Sequence, residues 1–142
     1  MVEKEFQVMF KHLLANDSPK RAAVYELKLE KGRRLSFDRV YDHQVGALRQ
    51  AKYKGLYHKI ADQQATIVNG RRMHFGSKNP FDCFFLKGVE AYVVVMFYKP
   101  NYLKAAIFID IDRWVEEKET SKEKSLTEKR AKEIAKWVKV IP

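Results

Sequence analysis

The stretch AVYELKLEKG, residues 23–32, alternates with the two-residue period of a β-strand. Val24, Glu26, Lys28 and Glu30 then share one face, and Tyr25, Leu27 and Leu29 share the other. This division predicts that the apolar face meets the core. It also sets a problem, because a strand that only covers a core has no need of a carboxylate and an amine two residues apart on one side. A solvated surface ion pair is one answer. A site that uses both groups is the other.

The chain around this strand alternates between helical and strand-like segments. Phe6, Met9, Phe10, Leu13 and Leu14 recur at spacings of three and four, which predicts an amphipathic helix over residues 3–15, ended by NDSPK. KGRR turns the chain after the first strand. A second helix is expected from Ser36 to about residue 53, with Val40, Ala47, Leu48 and Ala51 on one face. KGLYHKIAD reads as a short strand, and QQATIVNGRRMHFGSKN as a loop or weak hairpin. PFDCFFLKG and AYVVVMFYK read as strands joined by a turn at Lys87-Gly88. AAIFIDIDRWVEE gives another strand and a helical start, followed by the charged, exposed KETSKEKS. Ser125 and Glu128 have the spacing of a capping box for a last helix at about 125–140. The expected fold is a single α/β (α+β) domain, residues 1–142, with a central mixed sheet flanked by helices.

Composition narrows the chemistry. Aromatic residues make up 13% of the chain and hydrophobic residues 46%, enough to build a core. No apolar run is long enough for a membrane span and the N-terminal residues lack a signal-peptide core, so a cytoplasmic, intracellular location is expected. Cys83 is the sole cysteine, which excludes an internal disulfide. His12, His43, His58 and His74 lack metal-ligand spacing. The 28 lysines and arginines exceed the 18 acids by ten, and this excess points to a polyanion partner, with nucleic acid the leading class.

Asp82 opens the apolar strand after Pro80 and Phe81. If that strand lies beside the first, Asp82 and Glu26 converge into a hard-oxygen pocket suited to Mg²⁺. Lys28 would then stand near the attacking water or the scissile phosphate. Asp and Glu-x-Lys on neighbouring strands resemble the core of the PD-(D/E)XK nuclease superfamily. SFDRVYDHQVGALRQAKYKG, with Phe37, His43-Gln44 and Leu48, is similar to the segment after Glu-x-Lys in bacterial Holliday-junction resolvases related to penicillin-binding-protein factor A. GVEAYVVVMFYKPNYLKAAIFIDIDRW resembles the two strands that follow in that family. The resemblance spans roughly residues 22–115.

The resemblance implies a restriction-endonuclease-like core and a Mg²⁺-dependent DNA endonuclease, with Mn²⁺ as an alternative. The substrate would be branched DNA such as a four-way junction, held by a homodimer. It implies Glu26, Lys28, Asp82 and Gln44 as catalytic residues and Glu26 and Asp82 as metal ligands. The first helix adds Glu5 as a further acid, ahead of Glu3. One departure from the family is order. The family's Asp strand precedes Glu-x-Lys, whereas Asp82 follows it, so the metal-binding Asp strand is expected to be displaced. Arg33, Arg34, Arg39, His43, Lys52, Lys54, Arg71, Arg72 and Lys78, with Lys31 and Lys59, are the candidate DNA contacts. The competing reading is a nucleic-acid-binding module that keeps the fold without turnover.

Overall fold

The structure is a computed structural model that describes residues 1–16, 22–59, 66–68, 70–73 and 83–141. Helix α1 (Glu3–Asn16) leads into β1 (Ala23–Glu30). β1 is the outer strand of a four-stranded sheet that continues through β7 (Glu90–Phe97), β8 (Lys104–Asp110) and β10 (Trp137–Ile141). β1 runs parallel to β7, and the other two pairings are antiparallel. The domain is therefore a mixed α/β fold around a mixed sheet, as expected.

The central strands bury both faces, because β-branched and aromatic side chains alternate between two cores. Val93, Val95, Ile107 and Ile109 meet Phe37, Leu48 and Trp114 on one side. Tyr92, Val94, Met96 and Phe108 meet Phe6 and Phe10 of α1 on the other. Tyr25, Leu27 and Leu29 of β1 join the α1 side, in line with the alternation. The opposite face of β1 is covered as well: Val24 packs into the first core, and Lys28 is only 7% exposed.

Two segments differ from the sequence expectation. The helix expected from Ser36 is divided. Arg34–Ser36 forms β2, a 3₁₀ turn follows at Phe37–Arg39, and α2 spans Asp42–Arg49. β2 pairs with β9 (Ser125–Thr127), a long-range contact that local periodicity does not encode. After α2 the chain widens by one residue per turn, and the Gly55 N–H donates to the Gln50 carbonyl at 2.6 Å. Gly55 ends this segment at φ 102°, and any side chain there would overlap the Phe85 ring.

The expected last helix is also shorter. Ser125 belongs to β9, and Thr127 is the N-cap, its side chain accepting from the Arg130 N–H at 3.2 Å. α4 spans Glu128–Ile134, and Trp137–Ile141 becomes a strand because its residues alternate between the α1-side core and solvent. Between them, α3 spans Ile111–Thr120. The remaining described strands form two antiparallel pairs: β3 (Leu56–Lys59) with β6 (Cys83–Leu86), and β4 (Thr66–Val68) with β5 (Arg71–Met73); β6, the strand that follows Asp82, thus pairs with β3 and not, as expected from the sequence, with β1. Of the loop or weak hairpin expected at 63–79, the described part is a short hairpin pairing. No described helix is long and apolar enough to cross a membrane.

α3 and α4 are tied by Glu117, which is buried and accepts two hydrogen bonds from Arg130 at 2.8 and 3.0 Å. These bonds hold the Glu117 carboxyl below the usual carboxylate range. A depressed carboxylate stabilises the fold at neutral pH, and that contribution is lost as pH falls through its folded-state value. Arg130→Ala should destabilise the fold at pH 7, because it leaves the buried Glu117 carboxylate without its two bonds. It should also flatten the loss of stability below the ordinary carboxylate range. Urea unfolding across an acid pH series measures both effects, and parallel pH curves for the two proteins would contradict this role.

Candidate functional site

The structure brings Glu26, Lys28 and Gln44 together. Period-two geometry puts Glu26 and Lys28 on the same side of β1, where their side chains meet at 2.9 Å through Glu26 Oε1. Gln44 reaches the same oxygen from α2, with its Nε2 donating at 2.7 Å. Gln44 is fixed at its other end, where Oε1 accepts from the Tyr41 backbone N–H at 3.0 Å. It is the third residue of α2 and its side chain caps the Tyr41 N–H at the helix start, so helix initiation and site assembly use one side chain. The Tyr41 ring lies over the Lys28 ammonium, 5.6 Å from centroid to Nζ.

This arrangement answers the question posed by the strand. The pair is not a solvated surface salt bridge. Lys28 is buried beneath Tyr41 and needs a counter-charge, and Glu26 supplies it. Both contacts converge on Oε1, and among the described residues nothing bonds to Oε2 of Glu26. Glu26 also faces two cavities flanking the outer edge of β1. One, of about 480 Å³, is walled by Val24, Gln44, Leu48, Leu56 and Leu86. The other, of about 350 Å³, is lined by Glu3, Gln7, Lys11 and Tyr25.

The first-helix acid beside Glu26 is therefore Glu3. Glu5 is turned away to its own helix start, where its carboxylate accepts from the Val2 N–H at 2.7 Å and lies 3.8 Å from the terminal amine. Asp82 and Lys78 lie outside the described residues. Among the described residues no group of three or more His, Cys, Asp or Glu side chains could hold a metal ion. The free oxygen of Glu26 is a suitable hard donor for Mg²⁺, and a second carboxylate is required to complete such a site.

The candidate basic residues divide into two groups. Arg34 bonds Ser125 and Glu123, each at 2.8 Å, and fastens β2 to β9. Arg39 bonds Glu30 at 2.7 Å. Lys52 points inward to Asp110 at 2.9 Å and Asp112 at 2.6 Å, at the junction of β8 and α3. Burial would lower the Lys52 pKa, but the hydrogen bonds to Asp112 and Asp110 outweigh it and hold the ammonium above its ordinary value. These three cations therefore serve the fold first. Arg33 in the turn after β1, Lys54 and Arg71 are exposed, with no ion pair to a described residue. Lys31 is exposed in the same turn. Arg72 lies on β5, its backbone opposite Ile67, and Lys59 on β3 is opposite Cys83. His43 is exposed on α2, stacked on Tyr41 at 5.7 Å between ring centroids.

Comparison with protein-family models, with curated proteins and with solved structures finds no match for this chain.

The asymmetric burial of the pair has a measurable consequence. Glu26→Ala strands the buried Lys28 ammonium without its counter-charge and should destabilise the fold by up to about 3 kcal/mol. Lys28→Met keeps the apolar stem and leaves a partly exposed carboxylate still bonded by Gln44, so its cost should be smaller. Chemical denaturation at pH 7 ranks the two, and a larger loss for Lys28→Met would contradict the geometry.

Proposed function

We propose that the chain is a divalent-cation-dependent DNA endonuclease acting on phosphodiester bonds, with branched DNA of the four-way-junction type as its substrate. The observation that carries the reading is the convergence of Lys28 and Gln44 on one oxygen of Glu26, with Glu26 open to two cavities. A surface pair needs no such buttressing, whereas a metal-binding carboxylate must be held in one rotamer. Asp82 is assigned as the second carboxylate. Leu86 shares the Glu26 cavity, and the four residues back to Asp82 can span at most about 14 Å.

Each residue has a defined task. Glu26 and Asp82 would hold Mg²⁺ or Mn²⁺, which supplies charge to polarise the phosphate and to acidify water. Gln44 fixes the Glu26 carboxylate. Lys28 neutralises the site and stabilises negative charge developing on the phosphate. Water oxygen bonds to phosphorus and gives up one proton to solvent, the bond to the leaving oxygen breaks, and the departing alkoxide takes up a proton from solvent. A two-fold junction would be served by a homodimer, as the family resemblance implies. The burial of Lys28 under Tyr41 favours the competing reading, a DNA-binding module without turnover.

Incubating a labelled four-way junction and a matched duplex with the purified chain, with and without Mg²⁺ or Mn²⁺, separates the two readings. Metal-dependent cleavage is expected. Glu26→Gln and Asp82→Asn should each slow it by roughly 100-fold or more while DNA binding persists. Binding without cleavage under every metal condition would establish the module instead. Wild-type cleavage by either variant would remove that residue from the mechanism.

A further inference from the structure

A third cavity, of about 780 Å³, lies along the outer side of α2 and shares His43 and Ala47 with the Glu26 cavity. Its walls also include Arg49, Gln50, Tyr53 and Lys54. The wide turn at Gln50–Lys54 sets this composition, because it sends Ala51 and Lys52 inward and leaves Gln50, Tyr53 and Lys54 outside. Tyr53 is anchored through its hydroxyl, which donates to Asp112, yet the residue is 53% exposed. Arg49 and Lys54 are exposed and make no hydrogen bond or ion pair with a described residue. Gly46 stands in the same wall, and a Cβ added there would meet nothing within 4 Å. A glycine inside a helix lowers stability relative to alanine, and here no packing contact requires it.

We propose that this groove binds an unpaired DNA strand and leads it to Glu26. Single strands are held by aromatic faces that stack bases and by cations that follow the backbone. The groove offers Tyr53 and His43, itself stacked on Tyr41, as faces, and Arg49 and Lys54 as cations. Gly46 lets a ligand approach the helix backbone. As a substrate track the groove rests on the endonuclease reading, but its strand binding needs neither metal nor cleavage.

The test is fluorescence anisotropy of labelled oligo(dT), oligo(U) and a blunt duplex with the full chain in EDTA, over a salt series. Oligo(dT) should bind more tightly than the duplex. Tyr53→Ala should weaken oligo(dT) binding about 5- to 150-fold, the range of one lost base stack, and Tyr53→Phe should not. Arg49→Ala with Lys54→Ala should make the log–log salt slope shallower by about 1.4, for two single-strand phosphate contacts. Gly46→Leu should keep the circular-dichroism spectrum and melting temperature and lose oligo(dT) binding, because it fills only the groove. Glu26→Gln should bind normally, which separates failure of the groove from failure of the cleavage site. Duplex affinity equal to that for oligo(dT), unchanged binding by folded Gly46→Leu and by the double variant, or binding of oligo(U) alone would overturn the proposal.

Discussion

A lysine ammonium buried on a sheet face must find a counter-charge, and this requirement organises the site. Lys28 sits on β1 opposite Val95 of β7, under the Tyr41 ring. An isolated charge there would be far too costly, so Glu26 is drawn in beside it. The pair in turn fixes what covers it. Gln44 must start α2 at the point where it can bond both Glu26 and the Tyr41 backbone. The position of α2 then determines where the wide turn at Gln50–Lys54 and the groove beside it stand. One buried charge thus links strand, helix start and cavity.

The net charge of +10 is not spread as a uniform coat. Arg34, Lys52 and Arg130 are bound to acids that join distant parts of the chain, β2 to β9, the wide turn to the start of α3, and α4 to α3. Arg33, Arg49, Lys54 and Arg71 are exposed. Residues adjacent in sequence can fall on opposite sides of this division, as Arg33 and Arg34 do. Counting basic residues points to a polyanion partner, but only the partners of each side chain identify which cations are available to it.

The main strands, the first helix and the side of β1 that meets α1 were legible from periodicity alone, because alternation and 3.6-residue spacing are local properties. Glu26 and Lys28 were legible as a pair for the same reason. Their burial was not, since it depends on α2 arriving over that face. The small β2–β9 pair joins segments about 90 residues apart, and neither segment shows a strand signal strong enough to override its neighbours. Helical spacing predicts Trp137–Ile141 as part of the last helix, because Ala131, Ile134 and the following apolar residues prolong that spacing. Lys136 N–H instead donates to the Phe108 carbonyl at 2.8 Å and starts the strand. A helix N-terminus attracts either acid, so the sequence alone does not separate Glu3 from Glu5. The phase of α1 against β1 decides which one faces Glu26. Tyr41, Arg49 and Tyr53 had no motif to mark them, although His43, Gly46, Ala47 and Gln50 already fall on one helical face.

The central claim is that Glu26, held by Lys28 and Gln44, is a cation ligand. Paramagnetic broadening by Mn²⁺ tests it without reference to cleavage. In a ¹⁵N-labelled sample, the side-chain amide of Gln44, bonded directly to Glu26, should broaden at substoichiometric Mn²⁺, and excess Mg²⁺ should restore it. The same resonance in Glu26→Gln should remain sharp. Broadening that is absent from Gln44, or equal in the wild type and Glu26→Gln, would contradict the account.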